Sequence, residues 1–394
     1  MNNVSEYKPR VVFPFVEAGL GHIMPEKSVA DVFQAKYGKY CDIIRTRFFN
    51  DTKEKTLIDY EHFLVRQVQL HNIVPFYGHA TEIFGRLWGS KISNWFVMRA
   101  LSRGAYKVAV DYMRDLSPDL VFNTHWSTAY YANKLEKRPL VVSFCPDVNS
   151  NVMFDARTDM LILPAKTGYD KCLRNTRRYN QTNIFNSTFP IRQEAYQISK
   201  DKSVNRKMFG ISDDAFTVVL ADGAYGLSKL KKMTEKLIQS DIKMTIIPVC
   251  GKNEKLYKYF LTLKAKDNID FKPMFFCENM LNLTACCDVY SGKSGANAML
   301  EPCFFNIPTI ITKCVTFIER GNMKFYTEYV GNSIYEPNTK KAVKLIERLS
   351  ANKEYYNKLY KNSFRLSKNY GAESIADKLW EMLKTKFQLS DKNI

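Results

Sequence analysis

The stretch that decides the fold is residues 11–33, VVFPFVEAGLGHIMPEKSVADVF. Its first five residues form a β-branched and aromatic run that is typical of a buried strand. Gly19 and Gly21 then let the backbone approach a ligand, and Pro25 suits the first turn of a following helix, whose free amides favour an anion. The pattern predicts a strand, a phosphate-binding turn ending at His22 and a helix, with an ordinary tight turn as the alternative.

Two later segments repeat this pattern. In residues 288–312, DVYSGKSGANAMLEPCFFNIPTIIT, a short strand runs into a glycine-containing turn and a helix. In residues 218–230, VVLADGAYGLSKL, Gly223 and Gly226 occupy the turn. Because every doubly wound sheet contains several such turns, an ordinary βα connection is the alternative for each.

The order of these motifs resembles glycosyltransferase family 28, which includes the peptidoglycan N-acetylglucosaminyltransferase and the diacylglycerol glycosyltransferases. The first motif, GLGHIMP, and the late motif, SGKSGANAMLEPCFFNIP, carry the resemblance. Four intermediate segments agree with it: PDLVFNTH at 118–125, VVSFCPD at 141–147, VCGKN at 249–253 and ERGN at 319–322. The family's first turn usually has glycines before the histidine, whereas Glu17, Ala18 and Leu20 stand here.

The resemblance implies an α/β protein with the GT-B fold, in which two Rossmann-like doubly wound parallel-sheet domains face a cleft. We expect an acceptor-binding and membrane-facing domain at 1–195 and a UDP-sugar-binding domain at 196–371. A final helix, within 372–394, is expected to return to the first domain.

Apolar runs that alternate with helical stretches predict the parallel sheets. We expect nine strands, at Val11–Phe15, Asp42–Thr46, Leu120–Asn123, Leu140–Phe144, Met160–Leu163, Thr217–Ala221, Met244–Val249, Val289–Tyr290 and Thr309–Ile311. A polar stretch at about 190–214 separates the two series and predicts the domain junction there.

Inverting sugar transfer needs a base for the acceptor hydroxyl and a group that stabilises the departing diphosphate. His22 is our base candidate, because an unperturbed imidazole titrates at about pH 6.5. His125 and Asp147 follow two other strands of the first domain and are the alternatives, Asp147 also as a residue that orients a histidine. Each histidine could instead be structural.

The resemblance also assigns donor-binding residues in the second domain. Ser294, Gly295 and Glu301 are expected at the diphosphate and ribose, with Gly223 and Gly226 also at the diphosphate. Glu319, Gly321 and Asn322 are expected at the sugar, and Gly251 and Asn253 near the uracil. A solvated helix residue is the alternative for Glu301, and capping turns are the alternative for the segments at 253 and 319–322.

Composition limits the classes of function. The 394 residues can fill two cores, and the net charge of +18 suits an anionic membrane surface, a nucleic acid or an acidic substrate. No run reaches the roughly 18 apolar residues of a membrane-spanning helix, and the polar start predicts a cytosolic protein. The nine cysteines lack zinc-ligand spacing and predict reduced thiols. We expect no metal and no cofactor.

Residues 83–110, IFGRLWGSKISNWFVMRALSRGAYKVAV, contain five basic residues and no acidic one. The apolar side chains of Trp88, Ile92, Trp95 and Phe96 recur at helical spacing, and Lys91, Arg99 and Arg103 can reach lipid headgroups. This pattern predicts a membrane contact. A core helix with its arginines in water is the alternative.

These features together predict a UDP-sugar-dependent glycosyltransferase that acts on a lipid, most simply a diacylglycerol-type acceptor, at the inner face of the cell membrane. A transferase for a polyprenyl-linked or soluble acceptor, a UDP-sugar epimerase and a non-catalytic UDP- or polyanion-binding protein are the alternatives. Nucleic acid is not expected as a partner, because the tryptophans cluster with aliphatic residues. The sequence leaves the oligomeric state open.

Overall fold

The computed structural model describes residues 7–17, 20–73, 92, 95–100, 102, 104–149, 154, 158–175, 180–223, 229–314 and 316–389. They divide into two compact units. Unit 1 holds the described residues up to Arg192, except 71–73, and those from Gly371 onward, and unit 2 holds 71–73 and Gln193–Tyr370. The predicted domain limits were 195 and 371.

Unit 1 is a parallel six-stranded sheet in the order β2-β1-β3-β4-β5-β6. Its strands are β1 (Arg10–Phe15), β2 (Asp42–Arg47), β3 (Leu120–Asn123), β4 (Leu140–Phe144), β5 (Met160–Leu163) and β6 (Ile184–Asn186). Its helices are α1 (Leu20–Tyr37), α2 (Lys55–Ile73), α3 (Ala105–Asp115), α4 (Trp126–Ala132), α5 (Lys166–Asn175) and α15 (Glu373–Phe387), with a π-helical turn at Phe96–Ala100.

Apolar side chains cover both faces of this sheet, as parallel sheets require. On one face α1 and α15 pack together, and Tyr37 stacks on Trp380 with ring centroids 5.0 Å apart. On the other face α2, α3 and α4 enclose an aromatic cluster around Phe48 and Tyr131. The last helix therefore belongs to unit 1.

Unit 2 repeats the architecture in the order β12-β11-β10-β7-β8-β9. Its strands are β7 (Thr217–Ala221), β8 (Met244–Val249), β9 (Ile269–Phe271), β10 (Val289–Lys293), β11 (Thr309–Lys313) and β12 (Ser333–Tyr335). Its helices are α6 (Glu194–Gln197), α7 (Lys202–Met208), α8 (Leu230–Leu237), α9 (Glu254–Leu261), α10 (Met280–Cys286), α11 (Ala296–Phe304), α12 (Phe317–Lys324), α13 (Thr339–Ala351) and α14 (Lys353–Asn362). A π-helical segment, Phe325–Val330, follows α12, and a 3₁₀ turn, Ser363–Leu366, follows α14.

All nine predicted strands are present, and five have the predicted limits. The sequence missed β6, β9 and β12, which are three residues long and lie at sheet edges. An edge strand has one neighbour and needs no long apolar run, so its pattern is weak. Among the helices of the described residues, none is both long and apolar enough to cross a membrane.

Candidate active site

In unit 1, the chain order reverses between β1 and β3, which are neighbours in the sheet although β2 lies between them in sequence. Ligands of open parallel sheets bind beyond the carboxyl ends of the strands at such a switch point. The chain leaves β1 toward His22 and leaves β3 through Thr124 into His125. The sequence therefore delivers both histidines to the same end of the sheet.

His22 is half-buried and is held by two hydrogen bonds to Thr124. Its Nδ1 lies 2.7 Å from the Thr124 carbonyl oxygen, and the Thr124 hydroxyl donates to the His22 carbonyl at 2.7 Å. Because a carbonyl oxygen only accepts, Nδ1 carries the proton, and Nε2 of the neutral ring keeps its lone pair. Burial lowers the pKa of His22 below its ordinary value, against the opposing effect of the Thr124 bond. The arrangement prepares Nε2 to accept a proton.

Helix α1 begins at Leu20, earlier than the prediction that put Pro25 in its first turn. Pro25 lies inside the helix and has no N–H to donate to the Gly21 carbonyl, so one helical hydrogen bond of the first turns is absent. The two bonds between Thr124 and His22 hold this turn from outside the helix. A Cβ on Gly21 would meet nothing within 4 Å, so packing does not require glycine.

His125 is buried and caps the N-terminus of α4. Its Nδ1 accepts the backbone N–H of Ser127 at 3.4 Å and lies 2.7 Å from the Ser127 hydroxyl. Burial, and next the nearby His22, lower the pKa of His125 well below its ordinary value. The rings of His22 and His125 meet edge to face with centroids 5.0 Å apart. His125 therefore has a structural function as an N-cap, which is compatible with the structural alternative stated for it, and a catalytic function stays a prediction.

Asp147 follows β4 at the same end of the sheet and is half-buried. His22 is bonded to Thr124 and His125 to Ser127, and an orienting function of Asp147 stays a prediction. A catalytic function of Asp147 stays a prediction. Gly19 and Gly226 lie outside the described residues.

Sequence analysis missed an ion cluster beside the first turn. The Arg47 guanidinium contacts Glu17 Oε2 at 2.5 Å and Glu61 Oε2 at 2.8 Å, and Glu61 Oε1 accepts the backbone N–H of Glu17 at 3.0 Å. Glu61 is fully buried. Glu17, which stands where the family usually has a glycine, is thus neutralised by Arg47. The sequence did not predict this pair, because Arg47 on β2 and Glu61 on α2 follow no recognisable motif.

In unit 2, the switch point lies between β7 and β10. Gly223, just after β7, has φ +75°, a conformation that favours glycine. Lys293 is the last residue of β10. Its Cε lies 3.5 Å from the position that a Cβ would take at Gly223 and at Gly295. Its Nζ lies 3.6 Å from Glu319 Oε1. The ammonium of Lys293 thus lies at the turn predicted to bind a diphosphate.

Two more lysines lie near this point, and sequence analysis missed all three. Burial and the neighbouring ammonium of Lys293 lower the pKa of Lys313, which ends β11. Burial and the ammonium of Lys313 lower the pKa of Lys229, whose Nζ also donates to the Pro337 carbonyl. Asp222 opposes the lowering of the pKa at both lysines, together with Glu319 at Lys313 and Glu336 at Lys229, so these ammonium groups share the turn with carboxylates. The topology of β7, β10 and β11 alone brings these residues together.

Several predicted donor residues have structural bonds. Ser294 is buried and donates to the Lys313 carbonyl through its N–H at 3.1 Å and its hydroxyl at 3.3 Å. Buried Asn322 donates to the Ser294 carbonyl at 3.4 Å. Glu319 forms a capping box with Thr316 at the start of α12. These bonds shape the turn around Gly295, and direct contacts of these side chains with a donor stay predictions.

The remaining donor candidates lie on α11 and α12. Gly295 is the N-cap of α11, and half-buried Glu301 lies five residues after the first residue of that helix. Gly321 is half-buried within α12. The contacts of Gly295, Glu301 and Gly321 with a donor stay predictions.

The turn after β8 was expected near the uracil. Gly251 has φ +62°, and the Asn253 side chain caps α9 by accepting the Leu256 N–H at 3.1 Å. The loop after β9 lies alongside, since the Cys250 N–H donates to the Met274 carbonyl at 2.8 Å. That loop carries Phe275 and Phe276, both exposed. Sequence analysis missed these aromatics, although the paired phenylalanines were visible.

The predicted membrane segment is described only in part, and Trp88, Lys91 and Arg103 lie outside the described residues. Ile92, Trp95 and Phe96 are 49%, 50% and 40% exposed. Met98 is buried and accepts a hydrogen bond from the Tyr60 hydroxyl at 3.5 Å. Exposed Arg99 lies over the Tyr106 ring at 5.2 Å. Unit 1 thus anchors this segment by Met98 while aromatic residues face solvent.

A metal centre was not expected. Within the part of the chain that the structure describes, no group of three or more His, Cys, Asp or Glu side chains could hold a metal ion. The expectation itself stays untested, since proteins can bind metals through other ligands and through substrates.

No protein-family model matches the chain. A processive diacylglycerol β-glucosyltransferase of Bacillus pumilus is 24% identical over 193 residues, which are 49% of this chain and 50% of that protein. The chain thus matches about half the length of this curated relative. The similarity bears out the resemblance to the lipid branch of glycosyltransferase family 28.

Solved structures agree over nearly the whole chain. MurG of Acinetobacter baumannii superposes with a TM-score of 0.58 at 12% identity, covering 95% of this chain and 99% of that one. The fold is GT-B. The UDP-GlcNAc 2-epimerase of Neisseria meningitidis, solved with UDP-GlcNAc bound, has a TM-score of 0.60 at 13% identity, covering 96% and 100%. The GT-B fold is therefore shared with enzymes of different chemistry.

Proposed function

We propose that the protein is an inverting, metal-independent glycosyltransferase that moves a hexose or N-acetylhexosamine from a UDP-sugar to a diacylglycerol-type lipid at the inner face of the cell membrane. The observation that carries this proposal is the bond from His22 Nδ1 to Thr124, which leaves Nε2 as a proton acceptor at the switch point of unit 1. The sequence similarity to diacylglycerol glucosyltransferases supports the choice of acceptor.

In the proposed reaction, His22 Nε2 takes the proton of the acceptor hydroxyl while its oxygen attacks the anomeric carbon. The bond from that carbon to the diphosphate oxygen breaks, and UDP leaves with the electron pair. Lys293, together with Lys313 and Lys229, stabilises the charge that develops on the diphosphate. The backbone amides at Gly223 and Gly295 add further donors. Because the lysine ammonium groups balance the negative charge of the diphosphate, the proposed reaction needs no bound metal cation.

The base and the diphosphate site come from different units. Unit 1 supplies the proton acceptor, and unit 2 supplies the cations for the donor. Phe275 and Phe276, beside the turn at Gly251, are suited to contact the uracil ring.

The membrane contact is proposed for the segment around Trp95. Tryptophan and phenylalanine side chains prefer the interface between headgroups and acyl chains, and arginine reaches phosphates. Exposure of Trp95 and Phe96, with Arg99 exposed beside them, supports this contact. Anchoring by Met98 gives the segment a fixed attachment to unit 1.

The test is UDP release by the full-length protein from a panel of UDP-sugars, with vesicles that contain or lack diacylglycerol, followed by mass spectrometry of the lipids. We expect release from one donor only with diacylglycerol, together with a glycosylated lipid. Release without a new lipid would contradict the proposed acceptor. A UDP-sugar epimerase is the second candidate, favoured by the fold shared with UDP-GlcNAc 2-epimerase, and appearance of an epimer without UDP release would establish it.

A further inference from the structure

Unit 2 carries an exposed aromatic and basic surface that the proposed reaction does not use. Phe364, in the 3₁₀ turn after α14, is 47% exposed, and Tyr329, in the π-helical segment after α12, is 53% exposed. Lys361, Arg365 and Lys368 are exposed around Phe364. Isolated exposed aromatics are common on soluble proteins, so the meaning of this pair depends on whether the residues lie together.

Two hydrogen bonds join the segments that carry them. The Arg365 guanidinium donates to the Tyr329 carbonyl at 2.8 Å, and the Asn362 side chain donates to the Gly331 carbonyl at 2.8 Å. The Phe364 ring meets the Tyr360 ring edge to face with centroids 5.4 Å apart. The aromatic residues are therefore placed on one ordered surface.

The charge of this surface is one-sided. Residues 353–371 contain five lysines and arginines, at 353, 358, 361, 365 and 368, and one acidic residue, Glu354. On the neighbouring segment, exposed Glu328 is matched by exposed Lys324. Exposed Lys361 and Arg365 flank exposed Phe364 in sequence, three residues before it and one after it. Cations thus surround an exposed aromatic side chain.

We infer that Tyr329, Lys361, Phe364, Arg365 and Lys368, the aromatic–basic surface of unit 2, bind the headgroup region of an anionic phospholipid bilayer. Lysine and arginine are attracted by the negative potential of such a bilayer, and aromatic rings partition into its interface. A nucleic acid is a poorer match, since stacking of successive bases needs a longer row of rings. The binding is independent of sugar transfer.

The test measures co-sedimentation of the full-length protein with vesicles of phosphatidylglycerol and phosphatidylcholine, without donor or acceptor. We expect the variant Lys361→Gln/Lys368→Gln to partition about tenfold more weakly. The matched control is Lys232→Gln/Lys236→Gln, which removes the same charge from α8, a helix with no large exposed apolar side chain. This control should lose less than about threefold, and an equal loss in both variants would overturn the inference.

A second variant separates the aromatic contribution from the charge. Phe364→Ser should weaken partitioning at about 0.3 M salt, where long-range attraction is screened, and should do so equally in a Trp95→Ser/Phe96→Ser background. Unchanged partitioning in both backgrounds would contradict insertion of Phe364. Loss of single-stranded RNA binding with intact vesicle binding would assign the surface to nucleic acid instead. Because UDP binding is measured in parallel, failure here is distinguishable from failure of the proposed transferase.

Discussion

Unit 1 collects two histidines of lowered pKa at the switch point of its sheet, whereas unit 2 collects three lysines at the switch point of its own. The sheets themselves are alike, each with six parallel strands and one reversal of order. The side chains at the strand ends differ, and the proposed reaction uses a histidine of unit 1 as the proton acceptor and the lysines of unit 2 as countercharge for the diphosphate. The fold thus supplies the position, and the residues after each strand supply the chemistry.

The cations of the two units also differ in how they are balanced. Arg47 in unit 1 contacts two carboxylates, one of them fully buried. Lys293 in unit 2 lies 3.6 Å from the Glu319 carboxylate and interacts with the ammonium of Lys313. Arg47 is therefore suited to hold structure together, and Lys293 is suited to bind an anion.

The largest effect is expected from His22→Ala. Removing the base should lower kcat by about a thousandfold while the affinity for UDP stays within twofold. Steady-state kinetics and calorimetric titration with UDP measure the two quantities. His62→Ala, at an exposed position on α2, is the control and should leave both unchanged.

The pH dependence of the wild-type enzyme sharpens this assignment. His22 acts as a base only when neutral, and burial lowers its pKa, so the neutral form persists to lower pH than for a free histidine. The acidic limb of kcat/KM should therefore fall at a pH below about 6.5. A limb above that value would assign the base to another group.

Arg47→Met tests the structural side of the comparison. It leaves the buried Glu61 carboxylate without its cation, which should cost about 3 kcal/mol of unfolding free energy. Denaturant unfolding measures this loss, and UDP affinity should remain within twofold. Lys166→Met, which breaks the exposed pair with Asp170, is the control and should cost less than about 1 kcal/mol. A stable Arg47→Met variant that binds UDP poorly would reverse our interpretation of Arg47.

Lys293→Gln should show the opposite pattern. Loss of a charge-assisted bond to the diphosphate should raise the Kd for UDP by about 10- to 100-fold, with little change in unfolding free energy. Lys293→Arg should recover most of the affinity, and Lys236→Gln on α8 should bind like the wild type. If Lys293→Gln binds UDP normally, the three lysines do not form the diphosphate site.

The sequence predicted the interior of both sheets and much less of their edges. Strands such as Leu120–Asn123 and Met244–Val249 are buried on both faces, so their apolar runs are continuous and their limits were predicted correctly. The edge strands β6, β9 and β12 need little apolar surface and gave no such run. Helix α1 was placed too late because Pro25 usually marks a first turn, whereas Thr124, a hundred residues away, holds the actual one.

The candidate site shows the same limit. His22 was predicted from a local motif, but its tautomer depends on Thr124 and could not be read locally. The convergence of Lys229, Lys293 and Lys313 depends on the order of three strands, and single lysines carry no pattern in a chain with 58 lysines and arginines. Local motifs thus identify turns, whereas pairing across the sheet decides which charges meet there.

The smallest effect is expected from His125→Asn, which distinguishes a capping residue from a catalytic one. Asparagine is a favoured N-cap and can accept the Ser127 N–H that His125 accepts now, so the variant should keep its stability and its kcat within about threefold. His125→Ala removes the cap and should lose about 1 kcal/mol of unfolding free energy. If instead His125→Asn is stable and loses activity a hundredfold, the imidazole itself takes part in the reaction. The edge-to-face contact with His22 would then be the reason that both rings are kept neutral, and unit 1 would supply a pair of bases in place of one.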